Sequence, residues 1–264
     1  MLNRGAETML KLSALLLCLF SVYPLHAKQQ LRWCAWEFPG NVSFDNKAKQ
    51  AQGVSVDFMQ EVAHRAGFEL LISKATPPVR CLKELSDGDS DLVINIIKSG
   101  DGRPEIDYLP YGARQPDKVY LSATDNRRLD QVAALSTMTL AAIRNYGFHP
   151  KVKHIVDAMP AAQVIRVNSV YSALEVVAKQ RVTAALLPPT QVAAVLQQHP
   201  ELASQIRAVS FPVNIVEPQP VYIGLAKRCQ CPQLAQAIRH SLAAMSEDGT
   251  TKRIMGDRVI EFTD

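Results

Sequence analysis

Apolar residues recur along this chain with two alternating spacings. Val54, Phe58, Val62 and Ala66 stand four apart, the spacing of one helical face, and Gly67 follows as a stop. On either side, residues 31–36 and 68–72 are short apolar runs bounded by polar or turn-forming residues, which read as strands. Thr76, Pro77 and Pro78 mark a turn. A helix is expected over 79–85, ended by the Asp87-Gly88 region, and a strand over 92–97. The alternation continues with strands at 119–123 and 140–143, a helix at 151–159, a strand at 164–167, a helix at 170–180, a strand at 184–187 and a helix at 190–196. Extended stretches follow at 213–217 and 221–226, then a long helix over 232–246 and a short one beyond Asp248-Gly249. Residues 39–52 are polar and irregular. Strands alternating with helices imply a parallel sheet covered by helices. Two such blocks, joined near 119–125 and again near 211–222, predict an α/β chain of two lobes.

The first residues fall outside this pattern. Lys11 precedes an apolar stretch over 12–22, and Leu25-His26-Ala27 ends it on a small residue. These are the three parts of a secretory signal peptide, with cleavage expected after Ala27. The apolar stretch is too short to span a bilayer comfortably. Met1 and Met9 both serve as possible starts, Met9 giving the tidier leader. The mature chain is therefore expected in the periplasm.

Export changes the meaning of the cysteines. Of five, Cys18 leaves with the leader, and Cys34, Cys81, Cys229 and Cys231 remain. An even number in an oxidising compartment suggests disulfides, and four cysteines allow three connectivities. Cys34 ends the first strand and Cys81 opens a helix after the second, so a Cys34–Cys81 bridge is expected. Cys229 and Cys231 then form a tight ring or stay reduced. Zinc would need two such pairs or nearby histidines, and the six histidines are scattered, so no metal is expected.

The chain has 264 residues, 47% hydrophobic and 20% charged, an ordinary globular balance. Net charge is +4 with the signs mixed, and aromatics are only 6%, which argues against a nucleic-acid partner. The phosphate-cradling patterns GxGxxG and GxxxxGK[ST] are absent, as are GxSxG and HExxH. No nucleophile comes with an obvious base. Neither a cofactor nor an enzymatic activity is expected.

Several segments, in order, resemble the family 3 extracellular solute-binding proteins. Gly53 to Asp57-Phe58 is similar to that family's approach to its first helix. Leu82, Leu85, Gly88 and Asp91 match its L-x-x-L-x-x-G-x-x-D segment. Arg103 followed by Tyr108-Leu-Pro-Tyr111 resembles its R…(F/Y)-s-x-P-Y segment. Ala173-Leu174 with Gln180-Arg181-Val182, and Leu234…Ile238…Leu242…Asp248-Gly249…Ile254, resemble its later patterns. The resemblance implies a two-lobed type II periplasmic binding protein with two hinge strands and a ligand cleft between the lobes. The signal peptide would be 1–27, lobe 1 residues 28–120 and 217–264, and lobe 2 residues 121–216. A small-molecule ligand, an ABC permease as partner and a monomeric state are implied.

The same resemblance suggests a site. Arg103 stands where amino-acid-binding members hold the ligand carboxylate, a task that suits a planar guanidinium offering two parallel N–H groups. Its alternative is a surface arginine paired with Glu105 or Asp107. Lys98 and Gly100 occupy positions where the family often has threonines. Trp36 follows the first strand, where the family places an aromatic over the ligand, and Arg80 opens a helix that faces the cleft. Phe148, after Gly147, stands where a Gly-Ser/Thr step is usual, and Tyr146 is a further candidate of a kind more often used in packing. Leu187-Pro188-Pro189 occupies the place of the aspartate that normally pairs with the α-ammonium. A site that keeps cations and loses its anion disfavours zwitterions, because a buried unpaired ammonium costs several kcal/mol. The expected ligand is a small polar or anionic, carboxylate-bearing solute of an amino-acid-like class, though not an ordinary α-amino acid, captured for an ABC importer. The alternatives are a secreted dehydratase-like enzyme, with Asp101 as its acid, and an accessory or sensor protein without an importer.

Overall fold

The computed structural model describes residues 28–45, 50–98, 100–144, 146–211 and 216–261. The expected leader lies outside the described residues, as does most of the extended stretch expected over 213–217. No helix among the described residues is long and apolar enough to cross a membrane.

The chain begins with β1 (Gln30–Trp33), a short hairpin of β2 (Ser43–Phe44) and β3 (Ala51–Gln52), and α1 (Val54–Ala66). Then come β4 (Glu69–Ile72), α2 (Pro78–Asp87), β5 (Leu92–Ile96) and β6 (Ile106–Arg114). Gly67 and Gly88 stop α1 and α2 in left-handed conformations, at φ of 80° and 84°, which glycine adopts without a β-carbon penalty. A second run contains β7 (Lys118–Ser122), β8 (Leu140–Ile143), α3 (Pro150–Ala158), β9 (Val164–Val167), α4 (Val170–Ala178), β10 (Ala184–Leu187), α5 (Pro189–Gln198) and β11 (Ile206–Val209). The chain then returns through β12 (Gln219–Ala226), α6 (Pro232–Glu247) and α7 (Thr250–Met255).

Two five-stranded sheets result, ordered β4-β1-β5-β12-β6 and β11-β7-β10-β8-β9. The first three strands of the first sheet run parallel, while returning β12 lies antiparallel between β5 and β6. In the second sheet β9, β8 and β10 are parallel, and β7 runs antiparallel to β10 and β11. The chain passes between sheets at residues 115–117 and returns just before β12.

Each sheet is covered on both faces. Phe58, Met59 and Val62 of α1, with Ile238, Leu242 and Met245 of α6, bury one face of the first sheet against Leu31, Trp33, Ile94 and Ile223. The other face carries Cys34, Cys81, Leu85, Val93 and Ile106 beneath α2. The second sheet has Val119, Leu121, Leu140 and Leu186 on one side, and Tyr120, Ala141, Ala185 and Leu187 on the other. Burying one such leucine contributes about 1.5–3 kcal/mol.

Cys34 and Cys81 are bonded, with Cα atoms 5.4 Å apart. Cys229 and Cys231 are bonded as well, closing the CxC ring.

Four strands escape the sequence pattern, two of them the short β2 and β3 within the stretch read as irregular. β6 contains Pro110 and Gly112, which normally punctuate strands, yet it lies at the sheet edge, where proline is tolerated. Ala113 and Ile260 pair through hydrogen bonds in both directions beside this strand. β11 is four residues long and includes Arg207, too short and too charged to stand out.

Candidate ligand-binding site

The lobes meet near the hinge around a space of about 60 Å³. Phe38, Asn41, Asn95, Ile97, Tyr111 and Arg114 line it on the first-lobe side, and Pro188 to Gln191 on the second. Met255, Arg258 and Val259 complete it from the C-terminal segment. Two arginines and no carboxylate are among these lining residues.

Asn95 reaches this place through a break in its strand. It adopts φ 62°, a left-handed conformation that is rare outside glycine but more accessible to Asn than to most residues. The pairing of β5 with β12 shifts at this point. The break directs a carboxamide into a hydrogen-bonded set, where Nδ2 donates to Ser55 Oγ at 3.1 Å and Oδ1 accepts from Tyr111 OH at 2.8 Å. Burial pushes the Tyr111 phenol up, so it remains a donor.

Arg114 ends β6 and ties the hinge together. Its Nη1 donates to Tyr146 OH, and its Nη2 to Gly147 O and Gln219 Oε1, each at 2.7 Å. Tyr146 in turn donates to Asp117 Oδ1 at 2.8 Å. Burial raises the Asp117 carboxyl, with the Arg114 charge working in the opposite direction. Burial also opposes the Arg114 charge, but Tyr146 and Asp117 outweigh it and the net shift is upward. One side chain thus contacts the first lobe, the returning strand and the loop that follows β8. Glu217, beside that return, accepts from Lys151 at 3.0 Å and lies 3.4 Å from His149 Nε2. The Lys151 hydrogen bond holds the Glu217 carboxyl below its usual range.

The residues expected from sequence divide between two places. Arg103 is exposed and does not line the space between the lobes. Its Nη1 donates to Ser86 Oγ at 3.3 Å, and its backbone N–H to Tyr108 OH at 3.1 Å. Lys98 is exposed with its ammonium 5.9 Å from the Tyr108 ring centroid, and Gly100 is exposed too. Trp36 packs beside the Cys34–Cys81 bridge with Tyr108 and Tyr222. Arg80 is 73% exposed and paired with Glu84 at 3.0 Å. These five gather on the α2 side of the first lobe. Tyr146 belongs to the hinge network, and Phe148 is buried in the second-lobe core, edge-on to Tyr146. Among the described residues no cluster of His, Cys, Asp and Glu could hold a metal ion.

Sequence reasoning missed Asn95, Arg114, Gln191 and Arg258. Asn95 left a trace, as the one polar residue inside an apolar run. The others are ordinary polar residues until the fold brings them together.

The match to a family model decides the classification. The model for bacterial extracellular solute-binding proteins, family 3, matches residues 38–257. The chain belongs to this family. No curated protein sequence matches the chain. Among solved structures, a histidine kinase sensor domain with similarity to periplasmic binding proteins has a TM-score of 0.72 at 13% identity, covering 90% of this chain and 99% of that one. A periplasmic binding protein of an arginine transport system from Legionella pneumophila has a TM-score of 0.67 at 16% identity, covering 88% and 100%. An ancestral arginine-binding protein bound to arginine has a TM-score of 0.67 at 18% identity, covering 88% and 99%. At these identities the likeness concerns the fold, the two-lobed architecture of periplasmic binding proteins. The family and these neighbours are binding proteins rather than enzymes.

Proposed function

We propose that this family 3 member is a periplasmic receptor that captures a small anionic solute between its lobes and delivers it to an ABC importer. The observation that carries the reading is the interlobe space, lined by Arg114 and Arg258 and by no carboxylate among the described residues. An α-ammonium would find no carboxylate in this lining, whereas a carboxylate or other oxyanion meets the Arg258 guanidinium, Arg114 being already paired with buried Asp117 at 3.7 Å. Pro188 and Pro189 line this space, at the place where the family resemblance leads one to expect an ammonium-binding aspartate.

Ligand contacts both lobes and so stabilises the closed arrangement, which is the state a permease reads. On this reading Arg258 supplies the charge that the sequence assigned to Arg103, and Arg114 holds the hinge beside it. Delivery follows from conformation alone and requires no chemical step.

A thermal-shift screen of the purified protein against organic acids, inorganic anions, amino acids, amines and sugars tests the reading. A ligand at a hundred times its dissociation constant stabilises by about 2.7 kcal/mol, an easily read shift. An anion is expected to raise the melting temperature. A screen in which no class of solute does so would overturn the receptor role.

A further inference from the structure

We infer that the ligand of this cleft is a compact oxyanion of about four to six non-hydrogen atoms, held on the second lobe by the first turn of α5. The inference rests on the receptor reading above and narrows it to one ligand chemistry and one set of residues.

Three observations converge on that turn. First, α5 begins Pro188-Pro189-Thr190-Gln191 and has no side-chain cap. The N–H groups of Thr190 and Gln191 have no acceptor among the described residues. Open N–H groups at the start of a ten-residue helix favour an anion. Second, Gln191 is only 5% exposed and lines the interlobe space. Its carboxamide has no hydrogen-bond partner among the described residues. The amide atoms are not among those cut off from solvent, so they stay open to a solute that enters the space. Third, Arg258 approaches from the first lobe. Its Nε donates to Gly40 O at 2.7 Å, its one hydrogen bond among the described residues. Gly40 itself lies against α5, since a β-carbon added to it would stand 3.4 Å from Thr190 O. Arg258 and the uncapped turn line the same space, and the terminal N–H groups of Arg258 make no hydrogen bond among the described residues.

Size follows from the space itself. About 60 Å³ holds roughly four to six water-sized groups. A carboxylate of two or three carbons fits, as does a tetrahedral inorganic oxyanion. An amino acid with a long side chain does not. Ile97 and Gly147 close the space on the hinge side, where a β-carbon on Gly147 would stand 2.6 Å from Ile97 Cδ1. Proline at both 188 and 189 fits the same logic, because it leaves the first turn of α5 without an acidic cap that would repel the anion.

Isothermal titration calorimetry with a size-graded panel tests the inference. Acetate, glycolate and lactate represent short carboxylates, phosphate and sulfate inorganic oxyanions, citrate a large anion, and glutamine and arginine zwitterions. At least one compact anion is expected to bind tenfold or more tighter than citrate, glutamine and arginine. Which of the two compact groups wins distinguishes an organic from an inorganic source. Gln191→Met, close in volume, and Arg258→Gln are each expected to weaken that anion tenfold or more. Thermal melts without ligand report whether each variant remains folded. Glutamine, arginine or citrate binding as tightly as the compact anions would overturn the inference and leave the receptor reading standing. Unchanged binding in both folded variants would overturn the residue assignment and with it the inference. Binding of no solute at all would remove both readings together.

Discussion

Ile97 of the first lobe rests against Gly147 of the second, with no room between them for a methyl group. The contact joins the two lobes on the hinge side of the space. Gly147→Ala is therefore expected to leave each lobe intact and to resist closure. The atom met is the far end of the Ile97 side chain, so the cost is expected at the low end for overpacking, about 1 kcal/mol, or up to about tenfold in the affinity of a ligand that needs the closed form. Calorimetry reads the affinity, and small-angle scattering at saturating ligand should show a larger radius of gyration than wild type.

Arg103 and Arg258 are predicted to behave in opposite ways. Arg103 bonds Ser86 on an exposed face, and Arg258 reaches the interlobe space. Arg103→Ala should leave ligand affinity unchanged and alter stability by less than about 1 kcal/mol, as for other exposed polar contacts. A loss of binding in Arg103→Ala comparable to that in Arg258→Gln would move the anchor back to the 98–103 loop.

Tyr146 OH stands between Arg114 and Asp117, donating to the carboxylate and accepting from the guanidinium. Tyr146→Phe removes both bonds and leaves the buried Asp117 without this donor. A loss of about 1–3 kcal/mol is expected in chemical denaturation, the cost of stranding a buried acceptor.

The Cys34–Cys81 bridge closes a loop with a sequence separation of 47 residues beneath α2. On the chain-entropy model such a closure is worth about 4 kcal/mol. Cys34→Ser with Cys81→Ser should lower the denaturation midpoint accordingly. The effect should far exceed that of the Cys229→Ser, Cys231→Ser pair, whose ring spans a separation of only 2 residues.

Asp248 ends α6 and accepts from Arg65 and from the Thr250 backbone. Hydrogen bonds from Thr250, then from Arg65, lower its carboxyl to about 2. A lowered folded pKa gives stability that is fully present above the unfolded value of about 3.9 and is lost as pH falls toward 2. Melting curves of wild type and Asp248→Asn should therefore differ above pH 5 and converge near pH 2.

Much of the fold was legible because burial writes itself into local spacing. The α1 face, its Gly67 stop and the strands 140–143, 164–167 and 184–187 occur as the pattern places them. β6 was not legible, because its proline is permitted only by its position at the edge of a sheet, which no local pattern reveals. The site was harder still. Arg103 occupies the position where the family resemblance expects a carboxylate-binding arginine, but its side chain is turned to Ser86, which comes from α2. Asn95 betrays itself by polarity within an apolar run. Arg258 and Gln191 are far apart in sequence and meet only once both lobes exist.

The first sheet holds its latest strand near its centre, since β12 separates β5 from β6. A chain that emerges from the ribosome or a translocation channel N-terminus first must wait for residues 219–226 before β6 has a sheet partner and β5, already beside β1, has its second. The second sheet comes from one continuous stretch, β7 to β11, and can close earlier. Folding in the order of delivery is thus inside-out: the inserted lobe completes first and draws its two connections together. The first lobe is left until last, with two unpaired edges that a holding chaperone would cover in the interval.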